Sequence, residues 1–152
     1  VKDKGKYVEL NFKGKSGKEH NVKVSREPHL SFIRSKVSEA KKAVQKRLFP
    51  SGTAERLRVR FKTMMGKDYN PKDLRTYNAN IILHRELKKE SGENPKKQLV
   101  SAINRTSEFL HHTPSVCKAN YLSPEFMNMW LKTPTKVHNM SFGDIIKNIS
   151  KS

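Results

Sequence analysis

Four times between residues 70 and 124 a short polar side chain stands directly before a proline: Asn70-Pro71, Asn94-Pro95, Thr113-Pro114 and Ser123-Pro124. Each pair is a helix start. The Asn, Thr or Ser oxygen accepts from the free N–H groups of the first turn. Proline at the first helical position gives up an N–H that has no partner there and brings its φ preset. Starts so closely spaced make the second half of the chain helical. The first helix is expected from Pro71 to about Glu90, with Leu74, Tyr77, Ile81 and Leu87 on its buried side. Leu99, Ile103, Thr106 and Leu110 form the inward stripe of the next. Thr113-Pro114 opens a short helix towards Tyr121, and Ser123-Pro124 opens another through Phe126, Met127 and Trp130. A last amphipathic piece follows Ser141, with Phe142, Ile145, Ile146 and Ile149 inward.

The first half begins differently. Val8, Leu10 and Phe12 alternate with polar residues, as do Val22 and Val24, which is the period of a strand. Residues 14–20 between them carry two glycines, so the pair reads as a β-hairpin with a basic tip, closed by Pro28. Leu30, Ile33, Val37, Ala40, Val44 and Leu48 then follow a helical stripe. Residues 54–64 fit both periods; Gly66 as a C-cap and Ser51 or Thr53 as a start favour helix. The expected fold is mainly α with a small N-terminal β-hairpin, an α+β chain. Its parts are a hairpin over 1–25, a helical core over 29–131 and a C-terminal helix over 132–152.

Length and charge bound the partners. The 152 residues suffice for one domain with a core. Lys and Arg number 32 against 14 Asp and Glu, a net charge of +18. Such a field attracts polyanions, nucleic acid first and an anionic membrane second. No apolar run approaches the roughly 20 residues of a membrane span. One cysteine, Cys117, excludes an internal disulfide and fits a reducing compartment.

Three segments carry residues of one chemistry. Lys15 lies in Gly14-Lys15-Ser16-Gly17-Lys18-Glu19-His20 and Arg75 in Lys72-Asp73-Leu74-Arg75-Thr76-Tyr77-Asn78-Ala79-Asn80. His112 and Tyr121 bound the run His112-Thr113-Pro114-Ser115-Val116-Cys117-Lys118-Ala119-Asn120-Tyr121. Opening a phosphodiester through a covalent enzyme ester needs a nucleophile. A tyrosine oxygen can attack phosphorus, but a free phenol ionises only near pH ~10. Cations must therefore favour the phenolate and the charge growing on the phosphoryl oxygens. The planar fork of arginine meets two such oxygens at once. The leaving 5′ oxygen needs a proton, which a lysine or histidine can give. A helical hairpin over 71–110 returns the chain to its starting end and can bring residue 75 near residue 112.

In order and approximate spacing, over roughly residues 7–130, these segments resemble the active-site motifs of type IB DNA topoisomerases. The likeness is closest to the compact enzymes of poxviruses, other large DNA viruses and their bacterial relatives. Tyr121-Leu122-Ser123-Pro124 and Asn78-Ala79-Asn80 also look like the eukaryotic nuclear enzymes. The resemblance implies a monomeric enzyme acting on double-stranded DNA, without ATP, metal or other cofactor. It nicks one strand through a 3′-phosphotyrosyl link, lets the helix swivel and religates. The implied catalytic residues are Lys15, Arg75, His112 and Tyr121, with Lys13, Lys18, Lys72 and Arg58 as further DNA contacts. It also implies a location where DNA is handled, whether nucleus, viral factory or virion, or bacterial cytoplasm, and not secretion.

The sequence departs from that family in two places. The family's catalytic set includes a further arginine upstream of the hairpin lysine, and none precedes Lys15 here. This implies most of a catalytic domain, with an upstream DNA-clamping domain of the same enzyme lying outside the chain, so that these residues alone cleave poorly or not at all. His111 stands where compact relatives usually carry glycine; the nine-residue interval to Tyr121 favours His112 as the catalytic imidazole.

Plainer readings stand beside these. His111, His112 and Cys117 offer too few ligands for a structural zinc site. Gly14-Lys15-Ser16 echoes a nucleotide-binding loop, but Glu9 stands where its first glycine is needed. Arg56, Arg58 and Arg60 fit a DNA-tracking face and a solvated helix face equally well. Two other functions stay open. One is a tyrosine site-specific recombinase, although Lys72 stands where that family typically has histidine. The other is a basic DNA-binding module without turnover.

Overall fold

The structure, a computed structural model, describes residues 1–14, 17 and 19–151. The chain divides into two compact units, Val1–Arg60 and Phe61–Ser152.

The first unit is built on a three-stranded antiparallel sheet in the order β1 (Lys2–Asp3), β2 (Val8–Lys13), β3 (Glu19–Val24). β2 and β3 are the expected hairpin, in register from Val8 opposite Val24 to Lys13 opposite Glu19. β1 is an addition that two polar residues do not announce. Asp3 ties it to the first helix through an ion pair with Arg34 at 2.9 Å. α1 (His29–Lys42) lays Leu30 and Ile33 on Val8, with Leu10, Val24 and Val37 at the margin. The expected stripe ran further, to Val44 and Leu48. The helix instead ends where Ala43 turns extended (φ −82°, ψ 145°), and Val44 is 100% exposed. A short sheet offers nothing for a longer stripe to cover. α2 (Thr53–Met65) is helical as expected and ends at Gly66, whose φ of +109° suits a residue without a Cβ. It buries none of its side chains.

In the second unit the cap–proline pairs act as expected. α3 (Pro71–Leu87) starts with Asn70 accepting from the Lys72 N–H, while Asp73 receives the Asn70 N–H. α4 (Pro95–Leu110), α5 (Pro114–Tyr121) and α6 (Pro124–Lys132) are capped by Asn94, Thr113 and Ser123. The chain beyond forms α7 (Pro134–Asn139) and α8 (Phe142–Ile149), two helices where one was expected. Their core joins Ala79, Leu83 and Leu87 of α3 to Leu99, Ile103 and Leu110 of α4, Cys117 of α5, Phe126 and Trp130 of α6, Val137 and Ile145.

The expected buried side of α3 holds at Leu87 and fails at Leu74 and Tyr77. Leu74 is 46% and Tyr77 50% exposed, whereas Ala79, Asn80, Leu83, His84, Glu86 and Leu87 face inward. At about 100° per residue, Leu74 lies some 180° from Leu83 around the helix, while Tyr77 shares the side of His84 and sets its ring against Phe142 with centroids 5.6 Å apart. Buried Glu86 is the polar joint between α3 and α4. It accepts from Lys89 at 2.8 Å and from Arg105 at 2.9 Å, and Arg105 reaches on to Glu90. Among the described residues no helix is long and apolar enough to cross a membrane. The fold is mainly α with a small antiparallel sheet at its N-terminus.

Candidate active site

Tyr121 is the last residue of α5. That helix is held at its start by the Thr113 cap and inward by Cys117, which is wholly buried. Burial pushes the Cys117 thiol up in pKa, away from thiolate chemistry. After Tyr121 the chain turns extended through buried Leu122. Asn80, buried on α3, grips this bend. Its Nδ2 donates to the Tyr121 carbonyl at 2.8 Å and to the Thr76 carbonyl at 2.8 Å, and its Oδ1 accepts from the Ser123 N–H at 2.9 Å. The end of α5 is thus bolted to α3 by its main chain, and Tyr121 is left partly buried against the core.

His112 is placed by the way α4 ends. His111 adopts the left-handed conformation, φ 55° and ψ 42°. Its N–H donates to the Glu108 carbonyl at 3.1 Å, and the His112 N–H to the Ser107 carbonyl at 2.9 Å. These are the paired bonds of a Schellman motif, whose left-handed position is usually glycine. His112 therefore has a fixed backbone, and its ring stacks on Tyr121 with centroids 5.1 Å apart and planes 18° from parallel.

Arg75, one turn into α3, closes the cluster. Its Nη2 donates to the Leu110 carbonyl at 2.6 Å, one of the α4 carbonyls with no partner inside the helix. The same nitrogen lies 3.1 Å from His112 Nε2. The guanidinium and imidazole edges thus face each other at hydrogen-bond distance. Arg75 Nε and Nη1 make no hydrogen bond among the described residues. The Arg75 Cζ lies 5.4 Å and the Lys72 Nζ 5.8 Å from the centroid of the Tyr121 ring, within cation–π range. A tyrosine, an imidazole and two cations thus converge at one end of the α3–α4 pair. A groove of about 770 Å³ runs beside Tyr121, bounded by Thr76, Leu99, Lys118, Met127 and Leu131.

Of the expected site residues, the second unit brings together Arg75, His112, Tyr121 and Lys72. Lys15 and Lys18 lie outside the described residues. Lys13 is exposed at the end of β2. Arg58 is exposed on α2, where it pairs with Glu55 at 2.7 Å. Asn80, in the segment Asn78-Ala79-Asn80, is a functional position that the sequence motifs leave without a role. Its signal was a polar, poorly helix-forming side chain set between Ala79 and Ile81 in a helix interior.

The family described as eukaryotic DNA topoisomerase I, catalytic core, matches residues 1–140, nearly the whole chain. The chain belongs to the type IB DNA topoisomerases. A relative within that family is the protein named DNA topoisomerase 1B from Acanthamoeba polyphaga mimivirus, 27% identical over 147 residues. The alignment covers 84% of this chain and 43% of the relative, so the chain spans less than half of that topoisomerase's length.

Proposed function

We propose that this chain carries the strand-cleaving centre of a DNA-relaxing type IB topoisomerase, with Tyr121 as nucleophile. The convergence of Arg75 and His112 on Tyr121 supports this reading. The tyrosine hydroxyl gives its proton to water, and its oxygen attacks the scissile phosphorus. The bond from phosphorus to the 5′ oxygen breaks, and its electron pair leaves with that oxygen, which takes a proton from the Lys15 ammonium. The products are a 3′-phosphotyrosyl ester and a free 5′ hydroxyl. The ester conserves the bond for religation by the reverse path, so no nucleotide is consumed. Arg75, with two nitrogens to spare, meets the non-bridging oxygens. The His112 imidazole, stacked on the Tyr121 ring, stands beside the same oxygens. Lys72 adds positive charge beside the phenol. Charge is met by side chains throughout, and the step requires no metal.

DNA is the substrate that this chemistry and the +18 charge favour. In this reading the clamp around the duplex and one more arginine come from outside these 152 residues, which the greater length of the mimivirus protein supports. The test uses the full-length protein with supercoiled plasmid, with a chelator present and no ATP. Relaxation is expected without paired recombination sites. On a nicked duplex the wild type forms a covalent adduct, and Tyr121→Phe binds without forming one. Adduct formation by the Phe variant would remove Tyr121 from the role. Binding with no relaxation and no adduct would leave only a DNA-binding module.

A further inference from the structure

Phe142 opens α8 and reaches two other helices. Its ring meets Tyr77 edge-on with centroids 5.6 Å apart and Phe126 edge-on at 6.3 Å, and it lies tilted against His84 at 5.8 Å. Tyr77 and His84 belong to α3, and Phe126 to the first turn of α6. The helix start that carries Phe142 is itself fixed. Ser141 caps α8, its Oγ accepting from the Asp144 N–H at 3.2 Å and donating to the Asp144 carboxylate at 2.6 Å.

α3 and the start of α6 are also what Asn80 joins. Tyr77, Asn80 and His84 follow one stripe of α3 at positions i, i+3 and i+7, so the Phe142 ring touches the side chains before and after Asn80. On α6 the Phe126 N–H donates to Ser123 Oγ at 3.1 Å, and the Ser123 N–H donates to Asn80 Oδ1 at 2.9 Å. The ring therefore ties together by packing the two elements that the amide ties by hydrogen bonds. Asn80 is itself buried, and a hydrogen bond out of reach of water is the stronger for it. The packing beside it is incomplete. A cavity of about 200 Å³ is bounded by Asn80 and Ser123 together with Phe142, Ile145 and Ile149 of α8. Groups that border a void lack partners on that side, so the contacts that remain set the spacing.

We propose that Phe142 is a positioning residue for the nucleophile. Its ring keeps α6 seated against α3, so that Asn80 holds the Tyr121 carbonyl and the Ser123 N–H at once. This rests on the reading of Tyr121 as nucleophile given above. Phe142 acts by its bulk and touches no reacting atom.

Single-turnover adduct formation by the full-length protein on a nicked duplex, at saturating DNA, tests this. Phe142→Ala is expected to lower the rate constant about tenfold and to leave the half-saturating DNA concentration within about twofold of wild type. Loss of folded protein lowers the amount of adduct at an unchanged rate constant, so rate and amplitude separate placement from folding. Phe142→Val, a milder cut that slows the reaction about fivefold, stands in if the alanine variant does not fold. Phe142→Leu keeps most of the bulk and stays within about twofold of wild type. With Asn80→Ala already in place, Phe142→Ala slows the reaction no further, because the grip through which it acts is gone. Leu87→Ala truncates a wholly buried side chain at the far end of α3, and it lowers stability with the rate constant unchanged. An unchanged rate constant in Phe142→Ala, an equal fall in Leu87→Ala, or full additivity with Asn80→Ala overturns the proposal. A Phe142→Leu as slow as Phe142→Ala also overturns it, because bulk is then not what places the tyrosine. If Tyr121→Phe still forms the adduct, the underlying reading fails and the inference falls with it. If Tyr121→Phe forms none and Phe142→Ala keeps the wild-type rate constant, only the inference fails.

Discussion

Asn80 holds Tyr121 by the main chain. One amide donates to the Tyr121 carbonyl and accepts from the Ser123 N–H, so a single α3 side chain sets where the last residue of α5 stops. Arg75 stands on the same helix one turn earlier. Nucleophile and guanidinium are therefore placed by a common rigid element, and the phenol itself needs no hydrogen bond to be positioned.

Removing that grip should affect chemistry more than DNA binding. Asn80→Ala is expected to slow adduct formation about 10- to 100-fold, as small misplacements of a reacting group do. It should also cost about 1–3 kcal/mol of stability from the stranded main-chain groups. Single-turnover cleavage beside urea unfolding checks both. Unchanged cleavage in a destabilised variant would show that the phenol is placed by other contacts.

Arg75→Lys separates charge from geometry. A lysine keeps the cation but cannot reach the Leu110 carbonyl, His112 and a phosphate together. Cleavage should fall about 100-fold, while DNA affinity measured by gel shift stays close to that of the wild type. Near-wild-type cleavage would mean that one positive charge suffices there.

His111→Gly should stabilise the protein. The left-handed conformation that closes α4 disfavours a residue with a Cβ, and relief is expected at about 0.5–1 kcal/mol by urea or thermal unfolding. Cleavage should not slow, because the His112 anchor is a backbone bond to Ser107. A loss of stability would show that the His111 side chain contributes more than its backbone costs.

Acid should loosen the second unit through His84. This imidazole is buried beside Phe126 and Phe142. Burial first, and then the charge of Lys88, depress its pKa below 6.5; the Met140 and Val137 carbonyls oppose the shift and His138 adds to it. The unfolded chain then binds the proton more readily than the folded one. The neutral ring's contribution is complete above pH 6.5 and is lost as the pH falls below that value. Unfolding free energy followed from pH 7.5 to 5 should decline in the wild type and decline less in His84→Phe. Parallel curves would locate the acid sensitivity in another group.

Much of this was legible from residues alone. Asn70-Pro71 and Asn94-Pro95 mark helix starts because capping and proline geometry are local, and both helices begin there. Leu99, Ile103, Thr106 and Leu110 keep one period along α4 and are all buried. Leu74 and Tyr77 misled because the inward side of α3 is chosen by its partners, and nothing local separates one apolar phase from another. Val44 misled for a related reason, since a stripe is buried only as far as its sheet extends. The approach of Arg75 to His112 is one that the return of an antiparallel helix pair allows. The Asn80 grip did not, because it joins positions 41 and 43 residues apart through backbone atoms that carry no side-chain identity.

The buried indole of Trp130 has a practical consequence. It is the chain's single tryptophan and sits in the helical core that carries Tyr121. Indole emission shifts to the red when water reaches the ring, so fluorescence reports the loosening of this unit alone and is silent about the strands that lead to Lys15. Sub-global opening can thus be resolved by colour, with no label attached.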